Sequence, residues 1–247
     1  MNFFSLFKRN LIYKFKKKRS IDTENIKFNT LDDLFHHYGS DKADVFKFNN
    51  KSGHGFSKFY EKNFEKFKNK KINILEIGSY AGGSAAAFVK YFPNVNIFCF
   101  DINISNFKYK SINIHVFGID INLEKKINKL LESIFFQYNF KGFDLIIDDG
   151  SHNLSDILNG LKFFFKHVKS NGVYIIEDFK HPNYYAYNNN IDHIFIDELL
   201  NNFQKKNLSI SSVLTKNDQL DLIDQIEKIE SYKGNLDDSD IAFIFKK

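Results

Sequence analysis

Beyond residue 70 the apolar positions fall into short continuous runs separated by stretches of helical period. Runs at 72–77, 96–101, 112–117, 143–149 and 172–178 read as five buried strands, and the spacing at 81–91, 122–137 and 154–168 predicts the helices between them. Strict alternation of this kind implies a doubly wound α/β fold with a mostly parallel sheet and helices on both faces. A further helical pattern at 191–204 precedes two late strands, 228–232 and 240–245, joined by the turn-rich Gly234-Asn235-Leu236-Asp237-Asp238. A terminal antiparallel hairpin would bring the sheet to seven strands. Upstream, 31–37 and 56–67 read as helices of a flank or lid over 21–70, and 1–20 forms a separate basic amphipathic segment. The expected organisation is therefore 1–20, 21–70 and a catalytic domain at 71–247.

At 247 residues the chain suits one such domain with a small appendage. Its net charge of +5 is unevenly placed. Seven of the 35 basic residues and none of the 30 acidic ones lie in 1–20, leaving 28 against 30 elsewhere. A nucleic-acid-binding surface on the main domain is thereby disfavoured. In the opening segment Phe3, Phe4, Phe7, Leu11 and Phe15 recur at helical spacing beside the cations. That pattern suits peripheral membrane contact or a partner, or else a helix packed on its own domain. No run reaches the ~20 apolar residues of a bilayer span, and the N-terminus lacks the pattern of a secretory signal. The single cysteine, Cys99, lies in an apolar run, so a reducing cytoplasm is the expected setting.

The chemistry concentrates at the carboxyl ends of the strands, where open α/β sheets bind ligands. The first strand enters LEIGSYAGGS, with Glu76, Gly78 and Gly82 in the pattern acid, any residue, Gly, three residues, Gly. These glycines are not spaced as a dinucleotide fingerprint requires, so NAD is disfavoured. Asp101 closes the second strand, where a carboxylate can accept both hydrogen bonds of a ribose diol. Strand four ends Asp148-Asp149 and strand five ends Glu177-Asp178. Strands ~4.8 Å apart would crowd these acids into one crevice, which demands a counter-charge. A hard divalent cation, Mg2+ or Mn2+, held by Asp149, Glu177 and Asp178 meets that demand. His152, three residues past Asp149, projects over the same rim as a candidate base.

With those residues in place, the chain resembles the class I S-adenosylmethionine-dependent methyltransferases. More narrowly it resembles the metal-dependent sugar O-methyltransferases of the mycinamicin type and their surface-polysaccharide relatives. The likeness rests on YGSDK at 38–42, HGFSKFY at 54–60, LEIGSYAGGS, YFPNVNIFCFDI, IIDDGSH and IIEDF. It implies S-adenosylmethionine as cofactor, contacted by Glu76, Gly78 and Asp101. Ser79, Tyr80, Gly82 and Ser84 of the loop, Ile102, Asp120 and Asp148 complete the expected cofactor set. It also implies Asp149, Glu177 and Asp178 as metal ligands and His152 as proton acceptor. The acceptor would be a sugar or sugar nucleotide, a hexose or heptose for capsule or other surface polysaccharide, and a homo-oligomer is expected. Two departures stand out. The relatives' Gly-Asp after strand three is Gly118-Ile119-Asp120 here, and a histidine two residues past the last acid is replaced by Lys180, with His181 one step later. Methyl transfer to nitrogen or a small diol is the nearest alternative. An NAD-dependent sugar epimerase or reductase would need its Tyr-x-x-x-Lys pair downstream of the glycine loop, whereas Tyr38 and Lys42 lie upstream. A catalytically idle binding module would have no use for the acids and His152.

Overall fold

The computed structural model describes residues 3–28 and 30–247, leaving out the side chain of Phe3. Along the chain run α1 (Phe3–Phe15), β1 (Arg19–Ser20), α2 (Leu31–Tyr38), β2 (Val45–Phe46), β3 (Lys51–Ser52) and α3 (Ser57–Phe64). The central alternation follows as β4 (Ile72–Ile77), α4 (Gly83–Tyr91), β5 (Val95–Asp101), β6 (Tyr109–Lys110), β7 (Ile114–Gly118), α5 (Glu124–Tyr138), β8 (Phe143–Asp148), α6 (Leu154–Phe164) and β9 (Val168–Glu177). The chain closes with α7 (Ile196–Gln204), α8 (Lys216–Gln225), β10 (Ile226–Lys233) and β11 (Asp240–Lys246).

The seven-stranded sheet has the order β10-β11-β9-β8-β4-β5-β7, and β11 is antiparallel to both of its neighbours. The expected doubly wound sheet with a terminal hairpin is therefore present. Its boundaries differ from the sequence reading in two informative places. The predicted helix over 154–168 ends at Phe164, because a 3-10 turn at Phe165–His167 leads directly into β9, which starts four residues earlier than its apolar run. The helix α8 was not anticipated: its sequence KNDQLDLIDQ is largely polar, and a capping box between Thr215 and Asp218 starts it.

Alternation along each strand divides the interior into two layers. Leu75, Ile77, Phe98, Phe100, Ile146, Tyr174 and Ile176 meet α5, α6 and α7 on one face. Ile74, Ile97, Cys99, Leu145, Ile147, Ile175 and Phe243 meet α2, α3 and α4 on the other. Residues 21–67 thus supply a layer that buries one sheet face, with Leu31, Phe35, Tyr60 and Phe64 fully covered. Register aligns the strand ends: Ile77 pairs with Phe100 and Asp148, and Asp148 pairs with Ile176. One step further, Gly78, Asp101, Asp149 and Glu177 open onto a common crevice.

Candidate active site

A cavity of about 570 Å³ opens at these strand ends. Its wall includes Gly78, Ser79, Tyr80, Ser84, Asp101, Ile102, Asp120, Asp149 and His152 from the predicted set, together with Lys42, Phe46 and Lys108. The glycine loop is shaped by close approach. Gly78 has φ +84°, and a Cβ there would lie 1.8 Å from the Asp149 carbonyl oxygen, so only glycine lets the loop rest on the end of β8. The Tyr80 amide donates to Asp101 Oδ2 at 2.7 Å and the Asn103 amide donates to Oδ1 at 2.6 Å, fixing that carboxylate at the cavity wall. Asp120 also reaches the cavity despite the extra residue before it.

Three residues of the expected cofactor set lie off the cavity wall. Glu76 is fully buried under the loop, accepting from Ser84 Oγ with Cys99 Sγ 4.0 Å away, and burial raises its pKa. Gly82 caps α4 and is covered by the Phe107 ring instead of facing the cavity. Asp148 belongs to the opposite sheet face from Asp149, because successive strand residues point in opposite directions. Its Oδ2 accepts from Tyr174 Oη at 2.9 Å, and burial pushes its carboxyl up to about 6. It anchors β8 to β9 beneath α6.

The strand-end acids converge, with His152 among them. Among the described residues, ligand atoms of Asp149, His152 and Asp178 all lie within 4.8 Å of one another. His152 Nε2 is 3.6 Å from Asp149 Oδ1 and 3.9 Å from Asp178 Oδ2, beyond hydrogen-bond length. Glu177 is held beside this group: one oxygen accepts from Tyr60 Oη and the other from Lys42 Nζ. His152, Asp178 and Tyr80 have φ of 55°, 50° and 41°, and none is glycine. Left-handed backbone costs such residues ~1–2 kcal/mol each, so strain is concentrated at this rim.

Part of the counter-charge that sequence reasoning demanded comes from the chain itself. Lys42 Nζ lies 2.5 Å from Asp149 Oδ2 and also reaches Glu177, with only 2% of its side chain exposed. Burial opposes its charge, yet Asp149 and Glu177 hold its pKa well above the ordinary value. His54 Nδ1 is 3.3 Å from Asp178 Oδ1 and 2.8 Å from Ser239 Oγ. Burial again opposes, but Asp178 lifts this imidazole to about 9, so it is a cation at neutral pH. Both cations ride on a backbone ladder in which the amides of Gly53, His54, Gly55 and Phe56 donate to the carbonyls of Asp44, Asp41, Ala43 and Lys42. A Cβ on Gly53 would stand 2.1 Å from the Ala43 carbonyl oxygen, so the glycine is required for the two segments to meet.

The YGSDK and HGFSKFY motifs therefore bring Lys42, His54 and Tyr60 against the strand-end acids, a placement that sequence reasoning did not foresee. The only signal pointing to them was the presence of a Lys, a His and a Tyr in motifs that lacked an assigned purpose. Beyond the rim, the His181 ring lies 5.5 Å from His152 and 4.7 Å from Tyr185, which in turn lies 5.5 Å from Tyr187. The two tyrosines are exposed and extend the rim as an aromatic shelf. Lys180, in the position where a histidine was expected, turns away to Asp240 Oδ1 at 3.3 Å.

Comparison with known proteins agrees with this architecture. The solved MycE methyltransferase of the mycinamycin pathway, in complex with Mg, SAH and mycinamycin VI, superposes with a TM-score of 0.62 over 89% of this chain and 55% of that one, at 20% identity. A second crystal form of MycE with Mg and SAH gives 0.62 at 21% identity, covering 89% of this chain and 54% of that one. The chain has the class I methyltransferase fold. Its sequence relatives are sugar O-methyltransferases. Mycinamicin VI 2''-O-methyltransferase of Micromonospora griseorubida is 28% identical over 132 residues, 51% of this chain and 31% of its own length. A tetracenomycin rhamnosyl 2'-O-methyltransferase of Streptomyces olivaceus is 24% identical over 148 residues, 57% of this chain and 35% of its own. The chain spans about a third of the length of these curated relatives. No protein-family model matches it.

Proposed function

We propose that this chain is an S-adenosylmethionine- and divalent-metal-dependent O-methyltransferase acting on a sugar hydroxyl, with a nucleotide-linked hexose or heptose for a surface polysaccharide as acceptor. The observation that carries the reading is the convergence of Asp149, His152 and Asp178 at the mouth of a cavity walled by the glycine loop and Asp101. One relative described above is named for 2'-O-methylation of a rhamnosyl tetracenomycin, which supports a sugar hydroxyl as the acceptor.

The donor set fits a hard divalent ion. Mg2+ is commonly held by one or two carboxylates with water or substrate oxygens completing its shell. Asp149 and Asp178 would serve, with Glu177 beside them; Asp178 Oδ1 is buried, with the His54 imidazole 3.3 Å away. Such an ion supplies electrostatic stabilisation of negative charge on the acceptor oxygen. S-adenosylmethionine, which Asp101 and the glycine loop would hold, would supply an electrophilic methyl group.

The residues of the chain do the rest. His152 Nε2 would take the hydroxyl proton as negative charge develops, which typically contributes ~10²–10⁴-fold. Lys42 and His54 offset the charge of the acids, so that the crevice can exist before any ligand enters. The aromatic shelf of His181, Tyr185 and Tyr187 would hold the apolar face of a sugar ring against the rim.

The test is mass spectrometry after incubation with S-adenosylmethionine, Mg2+ and a panel of nucleotide-linked hexoses and heptoses and glycosylated macrolides. Gain of one methyl group on a sugar, abolished by EDTA, is the expected result. Absence of methylation across the sugars, or full activity in chelator, would overturn the reading.

A further inference from the structure

The helix α1 is oriented opposite to an ordinary amphipathic helix on a soluble domain. Its inner side is held by polar groups: Asn10 Nδ2 donates to the Gly118 carbonyl at 3.1 Å and Arg9 Nη1 to the Ile102 carbonyl at 3.3 Å. Just past the helix, Lys16 Nζ donates to the Ser105 carbonyl at 2.9 Å. The Tyr13 ring adds an edge contact with Phe107 at 6.2 Å. The outer side carries Phe4, Phe7, Leu11 and Phe15, which are 77%, 58%, 44% and 76% exposed. Spacings of three and four residues place them on one face, with exposed Lys8 and Lys14 at its margins.

We infer that this face docks on an anionic lipid surface. A helix normally turns its apolar stripe toward the protein; a contiguous stripe turned to water marks an interaction site. Charge selects the occupant. Lys8 and Lys14 flank the face, Lys17 is exposed just beyond it and residues 1–20 hold no acid, so a second copy of the same face would meet like charge, whereas phosphate-bearing headgroups complement it. A nucleic acid would match the charge but give four large apolar side chains nothing to enter. At 13 residues the helix suits lying in the interface, and no helix among the described residues is long and apolar enough to cross a membrane. The inference does not rest on the proposed methyl transfer.

The experiment is sedimentation of the full chain with vesicles of phosphatidylcholine alone or with about a third phosphatidylglycerol, at about 0.1 M and about 0.5 M salt. Binding to the anionic vesicles at low salt, most of it lost at high salt, is expected, with little on neutral vesicles. The double variant Phe7→Ser, Leu11→Ser should bind at least ~tenfold more weakly. Both side chains are exposed, so its thermal unfolding should match the parent's and show that the loss is not misfolding. Equal binding of parent and double variant, or no preference for anionic vesicles, would overturn the inference. So would a concentration-dependent dimer in sedimentation velocity that the double variant abolishes, since the face would then belong to a second copy.

Discussion

Substitution Lys42→Met tests the electrostatic design of the site most directly. Lys42 and Glu177 are each 2% exposed and in contact, and Asp149 Oδ2 lies 2.5 Å from the same ammonium. Removing one partner of a buried ion pair costs ~3–5 kcal/mol, because the remaining charge is stranded. Here the cost should fall at the lower end, since burial and Asp149 already raise the Glu177 carboxyl above its ordinary range, so that without Lys42 it can take up a proton instead of staying charged. A loss of about 3 kcal/mol in a domain of this size lowers Tm by about 6–12 °C. Glu177→Gln alone should also destabilise, leaving Lys42 with Asp149 as its one strong partner. The double variant should recover part of the loss, with a coupling energy of at least ~2 kcal/mol in a double-mutant cycle read by urea unfolding. Mg2+ should protect Lys42→Met more than the parent, because the vacated position between two carboxylates can accept an ion. Additive single effects, or a Lys42→Met loss under ~1 kcal/mol, would refute the view that this lysine is the site's resident counter-ion.

Other perturbations separate the roles of neighbouring groups. His152→Ala should keep cofactor binding by calorimetry and lose ~10²–10⁴-fold in turnover; loss of Mg2+ binding in the same variant would make His152 a ligand instead of a base. Asp178→Asn should weaken Mg2+ binding and mimic chelation, whereas Asp148→Asn, on the other sheet face, should leave Mg2+ binding intact. Tyr185→Ala should raise KM for the acceptor with little change in kcat, and an unchanged KM would remove the shelf from the acceptor site. Far from the site, burial, with Lys166 and Lys246 nearby, lowers the His167 imidazole to about 4, and its Nε2 has no partner. A base harder to protonate when folded than the ordinary ~6.5 gives stability that is full above that pH and declines as pH falls toward 4. The loss should reach about 1–2 kcal/mol after allowance for partial exposure, and His167→Phe should flatten unfolding curves measured between those pH values.

The sheet was legible because its signal is local. Runs such as ILEI and FDLIID are buried on both faces and bounded by turn residues, so length and periodicity suffice to place them. Errors gathered where tertiary context overrides pattern. The last turn of α6 and the start of β9 share one apolar stretch from Phe163 to Val168, and only packing decides where the helix stops. The helix α8 lacks a strong apolar stripe, although Thr215 followed three residues later by Asp218 is a cap that sequence can reveal.

The candidate site was half legible, and the boundary between the halves is physical. Strand-end acids are ordered by the sheet, so Asp101, Asp149 and Asp178 could be located from the run that each one closes. Alternation also determines which member of Asp148-Asp149 faces α2 and α3, and applying it to the acidic pair would have sent Asp148 into the core. What no local pattern can reveal is the partner of each charge. Lys42 meets Asp149 across 107 residues and Glu177 across 135. Crowding required compensation, and that a lysine from a distant segment supplies part of it is visible only in the folded chain. The result gives the N-terminal layer a second purpose beyond burying a sheet face. By carrying both cations on one short backbone ladder, it makes the charge balance of the site depend on how α2 and α3 are seated. A change that shifts that layer should therefore reach Asp149 and Asp178 before it reaches the sheet.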